Sequence, residues 1–443
     1  MRNTPENAPM SLARTALELA AGYDSDATHH LYRDLHAHPE LSGAEHRTAA
    51  RVSTMLRAEG IECTEGVGGT GVVGVLSNGP GRTVLIRADM DALPVTENSG
   101  LPYASTVDGV MHACGHDAHT AMLVGTAQAL ARGRQQWSGT VVFVAQPAEE
   151  TGEGAQAMRD DGLHERFPLP DVLLAQHISA GPIGLVAHVE GPVLAASTSI
   201  DIVVHGRGGH GSRPDTTIDP IVIGAAIVGR LQTVVSREIA PRAAAVVTVG
   251  RFHAGTAGNV IPATAELGLT VRSASREQQE QILAAVHRIV RAECDAAGVT
   301  TGPDIRIVKS IPATVNDARV ARSVADIHTR MFASSQIVDP GPAMGSEDFS
   351  ELALTPDGQA IPYHYWFLPS TPIAVWDAAP GQSPMAKFGN VPSAHSPDFA
   401  PAPAVLDHGV AAMTGAVLAE LAIDPQRESA EIPRGSRPAV TLV

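Results

Sequence analysis

The first half of the chain alternates short, almost wholly apolar segments with segments of helix-forming residues. Apolar runs stand at 83–88 (TVLIRA), 140–146 (TVVFVAQ) and 171–176 (DVLLAQ), and helical patterns at 45–59 and 118–131. Strands that are apolar throughout and separated by helices are typical of a mostly parallel sheet covered on both faces. The sequence therefore predicts an α/β fold built on a mostly parallel sheet.

The pattern changes between residues 191 and 309. Predicted strands and helices follow one another there in the order β-α-β-β-α-β, at 198–205, 218–236, 244–250, 263–272, 275–296 and 304–309. This order is typical of a small ferredoxin-like domain. We interpret 191–309 as an insertion that divides the α/β domain into residues 1–190 and 310–423, the second of which ends in a helix at 403–423. The remaining residues, 424–443, are rich in proline and charge and are predicted to be a flexible tail.

Composition excludes several classes of function. The formal net charge is −16, with 47 acidic residues against 31 Lys and Arg, whereas binding to a phosphate backbone needs a basic surface. No apolar stretch approaches the ~18–20 residues of a membrane span, and no signal peptide is evident near the N-terminus. We therefore expect no nucleic-acid or membrane partner and a cytoplasmic location. The three cysteines, Cys63, Cys114 and Cys294, are too scattered for a disulfide framework.

Polar side chains follow the predicted strands at the points where these strands end. Asp89 and Asp91 come after the first apolar run, Glu149 and Glu150 after the second, and His177 after the third. Because the carboxyl ends of parallel strands meet at one edge of a sheet, these side chains are expected to converge. The sequence predicts the functional site at this edge.

The densest group of potential metal ligands is MHACGHDAHT at 111–120. Cys114 and His116 stand two residues apart in a predicted loop just before a helix, so that both can reach one cation. A thiolate and an imidazole together favour Zn²⁺ or a similar transition metal. The alternative is an ordinary helix N-terminus that Asp117 caps while the histidines lie on a solvated face.

The adjacent acids Glu149 and Glu150 suit a division of roles. In extended backbone, two neighbouring side chains point in opposite directions. One carboxylate can then bind a metal while the other acts as a general base, which is the arrangement that metal-assisted hydrolysis needs. Asp89 and Asp91 point to one side of an extended chain. They would either cap loop amides or orient metal-bound imidazoles.

The predicted insertion carries further candidates. The segment GRGGHGSRP at 206–214 places His210 between glycines, which permit the positive φ values of a protruding turn. From such a turn His210 could hydrogen-bond a reacting carbonyl. Asn259 and Arg272 are the other polar candidates there. Outside the insertion, His395 lies in a proline-flanked loop (NVPSAHSPDFAP) that also fits a plain turn.

These motifs resemble those of the M20 metallopeptidase family. RADMDALPVTE (87–97), HACGHDAHT (112–120), PAEETGEGA (147–155), GRGGHGSRP (206–214), NVIP (259–262), GSEDFS (345–350) and HSPDF (395–399) occur in that family's order and spacing. The resemblance covers nearly the whole chain. It is greatest to the amidohydrolase branch, which includes hippurate hydrolases, N-acyl-amino-acid amidohydrolases and indole-acetyl-amino-acid hydrolases. Residues 373–390 are longer than the usual segment of that family at this point.

The resemblance implies a two-metal catalytic domain interrupted by a lid domain that also mediates dimerisation. It implies that the metal ligands are Cys114, His116, Glu150, His177 and His395. Glu149 would be the general base, and His210, Asn259 and Arg272 would meet the substrate. The two divalent ions of each subunit would be Zn²⁺ or Mn²⁺. A homodimer is expected, because the lid histidine in this family often serves the partner subunit's site.

The implied reaction is hydrolysis of the amide bond of N-acyl amino acids, in hippurate-, N-acetyl- or aryl-acyl-type conjugates. A small-peptide or aminobenzoyl-conjugate peptidase on the same scaffold is the alternative within the family. From other classes, Cys114 could be a nucleophile paired with His112 or His116, or the chain could be a non-catalytic metal-binding protein. The first alternative leaves the neighbouring acids without a role, and the second leaves Glu149 without one.

Overall fold

The computed structural model describes residues 7–423, which form two compact units. Among these residues, the first unit comprises 7–191, 315–341 and 348–423, and the second comprises 192–314 and 342–347. The tail predicted at 424–443 lies outside the described residues. Residues 310–314 and 342–347 belong to the second unit, although the sequence pattern groups them with the first.

Backbone pairing explains why residues 342–347 belong to the second unit. The Ala343 N–H donates to the Val193 carbonyl at 2.9 Å, and the Ala195 N–H donates to the Gly345 carbonyl at 2.8 Å. These bonds join segments that are far apart in sequence. A local pattern of apolar residues in the sequence therefore could not predict these bonds.

The helices and strands of the described chain are as follows. The α-helices are α1 (Asn7–Ala20), α2 (Ser25–Ala37), α3 (His46–Ala58), α4 (His116–Arg132), α5 (Gly154–Asp160), α6 (Leu163–Arg166), α7 (Pro220–Thr233), α8 (Arg276–Ala296), α9 (Ala318–Met331), α10 (Ile373–Ala378), α11 (Pro384–Phe388) and α12 (Val405–Leu421). The strands are β1 (Glu62–Val67), β2 (Gly71–Asn78), β3 (Thr83–Asp89), β4 (Gly139–Gln146), β5 (Val172–Pro182), β6 (Val186–Ala187), β7 (Gly191–Leu194), β8 (Ala196–His205), β9 (Gly209–His210), β10 (Ala245–Ala254), β11 (Val260–Ile261), β12 (Thr264–Ser273), β13 (Asp304–Ile311), β14 (Thr314–Asn316), β15 (Ile337–Val338) and β16 (Tyr363–Thr371). No helix within residues 7–423 has the length and apolar character needed to span a membrane. The cytoplasmic location stays a prediction.

The first unit is built on a sheet with the strand order β1-β2-β4-β3-β5-β16-β6-β15. The central pairs β4–β3, β3–β5 and β5–β16 are parallel, whereas β1–β2, β2–β4 and β16–β6 are antiparallel. The central strands are buried along most of their length, as strands covered on both faces must be. Side chains of α2, α4 and α12, such as Leu31, Leu123 and Val410, share one core with them. The predicted α/β fold with a mostly parallel sheet is confirmed.

Two element boundaries near the predicted site differ from the sequence-based expectation. α4 begins at His116 and not at residue 118, so His116 belongs to the helix and not to the loop before it. β5 continues to Pro182, because β16 pairs alongside it and supplies its backbone hydrogen bonds. His177 therefore lies inside a strand and not at its end. β16 is not among the predicted strands, because His364 and Pro369 interrupt its apolar run.

The second unit contains an antiparallel sheet with the strand order β10-β12-β8-β13. Along the chain the elements follow as β8-α7-β10-β12-α8-β13, the order that the sequence predicts. α7 and α8 pack apolar side chains such as Ile227 and Val286 with sheet residues such as Ile202. The predicted helix at 218–236 is shorter, because α7 passes at Val234–Glu238 into a π-helical turn.

Three buried histidines of the first unit form a hydrogen-bonded chain. His328 Nε2 lies 2.8 Å from the carbonyl oxygen of Ala412, so this nitrogen must carry a hydrogen. Its Nδ1 then accepts from His188 Nε2 at 3.0 Å, and His188 Nδ1 accepts from His364 Nε2 at 2.8 Å. This order leaves a lone pair on His364 Nδ1, which has no hydrogen-bond partner within residues 7–423.

The histidine chain is held in the neutral state by its surroundings. Burial lowers the pKa of His328 to about 4 and that of His364 to about 3. Burial, with the neighbouring imidazoles, also lowers the pKa of His188 well below its usual value. The rings of His188 and His364 stack with centroids 5.1 Å apart, and Trp366 stacks on His364. Neutral imidazoles thus connect α9, α12, β16 and the segment after β6.

Candidate active site

The structure brings together the polar side chains predicted at the sheet edge. Ligand atoms of three overlapping groups lie within 4.8 Å of one another in each group. The groups are Cys114, Glu150 and His395; His116, Glu149 and Glu150; and Asp89, His116, His119 and His177. They come from the ends of β3 and β4, from β5, from the start of α4 and from the loop before α12.

Gly115 determines how the chain enters α4. Its φ is 84°, and a Cβ at this position would lie 2.2 Å from Cδ1 of Ile178. Only glycine avoids both the backbone strain and the clash. The resulting turn brings Cys114 and His116 into the site, with Cys114 Sγ 3.5 Å from His177 Nε2.

His116 is fully buried and surrounded by acids. Its Nδ1 lies 3.1 Å from Asp91 Oδ1 and donates to it, while Asp91 Oδ2 accepts from the Glu150 N–H at 3.0 Å. Its Nε2 faces carboxylate oxygens of Asp89, Glu149 and Glu150 at 3.7, 3.9 and 3.8 Å. Burial disfavours the charged imidazole, but Asp89, Cys114 and Asp91 outweigh it and raise the pKa of His116 well above its usual value.

Cys114, Glu150 and His395 form a second corner of the site. Glu150 Oε2 lies 3.4 Å from His395 Nε2, and this contact raises the pKa of His395. His395 has a φ of 69°, a left-handed conformation that costs a non-glycine residue about 1 kcal/mol or more. Its N–H donates to the Ala113 carbonyl at 2.7 Å, which fixes the loop beside Cys114. Burial raises the pKa of Cys114 to about 12, so a thiolate needs a nearby cation.

His177 presents one nitrogen to this corner. Its Nδ1 donates to the Ile178 carbonyl at 2.5 Å, which leaves the lone pair on Nε2 facing Cys114 Sγ. Burial lowers the pKa of His177 well below its usual value, and the nearby His119 adds to this effect. A neutral imidazole with a free lone pair is the form that binds a metal ion.

His119 has a role that the sequence does not reveal. Its Nε2 accepts from the Ile178 N–H at 2.8 Å, so its Nδ1 carries the hydrogen and donates to Asp89 Oδ1 at 2.6 Å. Arg87 Nη1 donates to the other Asp89 oxygen at 2.7 Å. Burial alone would raise the pKa of Asp89, but Arg87 and the histidines hold it well below its usual value. Both nitrogens of His119 are engaged in hydrogen bonds, so His119 positions Asp89, although it belongs to the group of potential ligands described above.

Asp348 is a second residue without a role in the sequence-based hypothesis. It lies in the GSEDFS motif, and its Oδ1 accepts from Gln146 Nε2 at 2.7 Å. Its Oδ2 accepts from the Ala155 N–H at 3.0 Å. Arg87 Nη2 lies 3.4 Å from Asp348 Oδ1 and joins this group to Asp89. The motif match is the only sequence signal for Asp348, because its partners lie about 200 residues away along the chain.

A buried ion-pair triad lies behind the start of α4. His36 Nδ1 donates to Asp117 Oδ2 at 2.7 Å, and His36 Nε2 lies 3.2 Å from Glu97 Oε1. Asp117 also accepts from the Ala118 N–H at 2.9 Å, but the N-cap of α4 is Gly115, so the capping role that the alternative gives to Asp117 is wrong. Burial disfavours the imidazolium, but Asp117 and Glu97 raise the pKa of His36 to about 10.

Replacing His36 by glutamine is expected to destabilise the protein and to flatten its alkaline stability profile. Below pH 6.5, the usual pKa of histidine, His36 is protonated in both the folded and the unfolded chain, and the triad contributes fully. Between pH 6.5 and about 10 the unfolded chain loses this proton first, so the contribution declines. Urea unfolding should show a loss of about 3 kcal/mol at pH 6.5 and a smaller fall toward pH 10 than in wild type. His30→Gln, on the exposed side of the same helix, should match wild type; equal pH slopes in all three proteins would rule out the charged triad.

The residues present fit divalent transition-metal ions. His116 Nε2 and Glu150 Oε1 are buried, lie 3.8 Å apart and have no hydrogen-bond partner among residues 7–423. A buried polar atom without a partner costs about 1–3 kcal/mol, a cost that a bound cation removes. Thiolate sulfur, imidazole nitrogen and carboxylate oxygen are the usual protein ligands of Zn²⁺ and related ions.

The second unit carries the remaining candidates, and a small ribbon brings two of them together. β9 pairs with β11, so that His210 is opposite Val260, and the Gly211 N–H donates to the Asn259 carbonyl at 2.8 Å. The Ser212 N–H donates to His210 Nδ1 at 3.1 Å, which places the imidazole hydrogen on Nε2. The side chains of His210 and Asn259 are exposed.

Arg272 lies on β12, apart from this ribbon. It is paired across the sheet with Ser197 and Val246. Its Nη1 donates to the Met344 carbonyl at 3.2 Å, and partial burial lowers the pKa of its guanidinium. The structure therefore groups His210 with Asn259 and gives Arg272 a different backbone partner.

Comparison with known proteins identifies the family. A model described as peptidase family M20/M25/M40 matches residues 85–375. Thermostable carboxypeptidase 1 of Saccharolobus solfataricus is 39% identical to this chain over 342 residues, which cover 76% of this chain and 84% of that protein. N-acetylcysteine deacetylase of Bacillus subtilis is 38% identical over 321 residues, which cover 72% and 83%.

A solved structure agrees with these matches. The YXEP protein of Bacillus subtilis, a dinuclear metal-binding peptidase from the M20 family, superposes with a TM-score of 0.72 at 29% identity, covering 89% of this chain and 99% of that one. The family match spans more than half of the chain, and the resemblance inferred from the motifs is confirmed. The chain belongs to peptidase family M20/M25/M40, whose members are hydrolytic enzymes that act on amide bonds.

Proposed function

We propose that this protein is a metal-dependent amidohydrolase that cleaves the amide bond of N-acyl amino acids. The observation that carries the proposal is the overlap of two donor groups at Glu150, with Glu149 beside them. The proposed ligands of two divalent ions, Zn²⁺ or Mn²⁺, are Cys114, His116, Glu150, His177 and His395. Asp91 orients His116 through its hydrogen bond. Asp89, at the end of β3, faces His116 Nε2 at 3.7 Å.

Glu149 is the proposed general base. When bound, the two cations polarise the substrate carbonyl and lower the pKa of water. Glu149 follows β4 next to Glu150, and its Oε2 lies 3.9 Å from His116 Nε2. From this place Glu149 takes the proton of the attacking water and passes it to the nitrogen of the leaving amino acid.

His210 is the proposed donor to the oxyanion that forms from the substrate carbonyl. The Ser212 amide holds its hydrogen on Nε2, so a neutral His210 can donate without changing tautomer. Asn259 and Arg272 are proposed to bind the carboxylate of the amino-acid part. Amide N–H and guanidinium groups are the donors that suit a carboxylate.

We also propose a role for each unit and a homodimer. The first unit would be the catalytic domain, and the second a ferredoxin-like lid. β10 lies at the edge of the second unit's sheet, and its Val246 and Phe252 are exposed, as are Ile221 and Val222 of α7. An unpaired strand edge beside exposed apolar side chains is suited to pairing with a second copy.

A peptidase of the same scaffold is the second candidate, because one relative is named a carboxypeptidase. Removing the last residue of a peptide also hydrolyses an amide next to a free carboxylate. The same base and the same ligands would serve. The two candidates differ only in what the acyl side of the substrate contains.

The geometry disfavours the alternatives from other classes. A cysteine nucleophile needs a thiolate, yet burial raises the pKa of Cys114 to about 12 and a carboxylate of Glu150 lies in its group. A pure metal-binding site needs no further acid, yet Glu149 lies beside the donor atoms.

The test is release of free amino acids from a panel of N-acyl amino acids and short peptides. Hippurate, N-acetyl and indole-acetyl conjugates are compared with dipeptides and an aminobenzoyl conjugate, before and after chelation and with Mn²⁺ or Zn²⁺ added back. We expect hydrolysis of the conjugates that disappears with the chelator and returns with metal. Activity that survives chelation but not thiol alkylation would favour the cysteine nucleophile. Activity on the peptides alone would favour the peptidase.

A further inference from the structure

The segment that follows β16 exposes a group of large apolar side chains. Residues 372–390, here called the apolar segment, contain α10 and α11, and neither helix has a buried residue. Ile373, Val375, Met385 and Phe388 are 48, 42, 80 and 47% exposed. Clustered apolar side chains at a surface indicate a site for a ligand or a partner.

Polar groups fold the apolar segment onto itself. Lys387 Nζ donates to the carbonyl oxygens of Trp376 and Asp377 at 2.9 and 3.2 Å, and lies 6.0 Å from the centre of the Trp376 ring. Asn390 Nδ2 donates to the Ala386 carbonyl at 2.8 Å. The Lys387 bonds join α10 to α11, and the Asn390 bond closes the end of α11, so the exposed side chains are held by a defined local structure.

The apolar segment begins and ends at the edge of the sheet that carries the candidate active site. β16 leads into it and runs parallel to β5, and Phe367 of β16 is paired with His177. Both α10 and α11 contact β5. After the segment ends at residue 390, the chain continues through a short loop to His395. The segment therefore forms part of the rim of this edge.

The charge of the apolar segment indicates which part of a substrate it fits. Its charged residues are Asp377 and Lys387, and the Lys387 ammonium is already bound to backbone carbonyls. The carboxylate of an amino acid needs a cation or several N–H donors. An acyl chain needs only an apolar surface that removes it from water.

We propose that the apolar segment binds the acyl group, so that the enzyme prefers amides of long or bulky apolar acids to acetyl amides. This inference rests on the amidohydrolase activity proposed above and names its substrate class. Met385, the most exposed of the apolar side chains, and Phe388 are the residues expected to contribute most.

The experiment measures kcat/KM of the metal-loaded enzyme for N-acetyl, N-butyryl, N-hexanoyl and N-octanoyl derivatives of one amino acid. In wild type, kcat/KM should rise roughly two- to fourfold per added methylene, the range for a partly to a fully buried methylene. The double variant Met385→Ser/Phe388→Ser should show a much flatter dependence. Leu169→Ser is the matched control, because Leu169 is 55% exposed and precedes the opposite end of β5. It should keep the wild-type dependence.

Each outcome separates this inference from the proposed function. Hydrolysis of the acetyl derivative with no gain from longer chains in wild type would overturn the inference alone. An unchanged chain-length dependence in the double variant would also overturn it. Sedimentation velocity of the same proteins checks for a second copy as the occupant: a lower mass of the double variant with an unchanged dependence would assign the surface to an interface. A wild type that hydrolyses no member of the series would overturn the proposed function as well.

Discussion

The Glu149→Gln variant is expected to keep its bound metal and to lose turnover by a factor of about 10²–10⁴, the usual contribution of a general base. Glutamine has the shape of glutamate but cannot accept the proton of the attacking water. The proposed ligands, including the neighbouring Glu150, are unchanged in this variant. Metal content by elemental analysis and kcat on the best N-acyl amino acid are the measurements.

Glu150→Gln provides the matched comparison, because it changes the adjacent carboxylate. Glu150 Oε1 is buried without a hydrogen-bond partner within the described chain, and Oε2 lies 3.4 Å from His395 Nε2. This variant, and likewise Cys114→Ala, should lose both metal and turnover. Glu153→Gln, which alters an exposed acid in the same loop, should lose neither. If Glu149→Gln turned over like wild type, the proton transfer would have to be assigned to another group.

The second large effect is a loss of folding stability at low pH. Wild type is expected to unfold steeply between pH 6 and 4, because the chain of His188, His328 and His364 is neutral when folded. In the unfolded chain these groups take up protons below a pKa of about 6.5, whereas two of the folded pKa values are about 4 and 3. Each group then lowers the free energy of unfolding by about 1.4 kcal/mol per pH unit. The three groups together lower the free energy of unfolding by about 4 kcal/mol per pH unit. A fall of two pH units therefore removes most of a typical protein stability of about 5–15 kcal/mol.

His364→Gln should reduce this acid sensitivity by about one third. The glutamine amide can still donate toward His188 Nδ1, but it takes up no proton in the unfolded chain. At pH 7 the substitution should cost about 1–3 kcal/mol through lost stacking on Trp366, yet the pH slope should fall by about 1.4 kcal/mol per unit. Urea unfolding of chelator-treated protein from pH 4.5 to 7 measures both. His46→Gln, which changes an exposed histidine, serves as the control. If the free energy of unfolding of His364→Gln had the same pH slope as that of wild type, the three buried histidines would not determine the stability of the protein in acid.

Elements with a strong local pattern are predictable from the sequence. β3 and β4 match their apolar runs, and the order of elements in the second unit follows from periodicity alone. The meeting of Asp89 and Glu150 follows from one rule, that parallel strands end at the same edge of a sheet. His177 lies inside β5, which continues to Pro182, so its place in the site does not follow from that rule alone.

Features that depend on contacts between distant segments were beyond the sequence. β16 has a broken apolar pattern, and its identity as a strand rests on pairing with β5. The pairing of His36 with Asp117 and Glu97 also joins distant residues. The role of His119 depends on which of its nitrogens carries the hydrogen, and only the Ile178 amide decides that. The roles of Glu149, His210, Asn259 and Arg272 stay predictions.

The position of the second unit in the chain has a consequence for synthesis on the ribosome. The strand that bears His177 is made before the second unit, and the loop that bears His395 follows roughly 200 residues later, which takes about 10–40 s at usual elongation rates. During this interval a nascent chain would hold an incomplete set of proposed metal ligands. Cys114 and Glu150 would be present, but His395 would not yet have been made. Tight metal capture would then require that the loop bearing His395 has been made. Chains cut short before His395 would remain metal-poor and open to proteolysis.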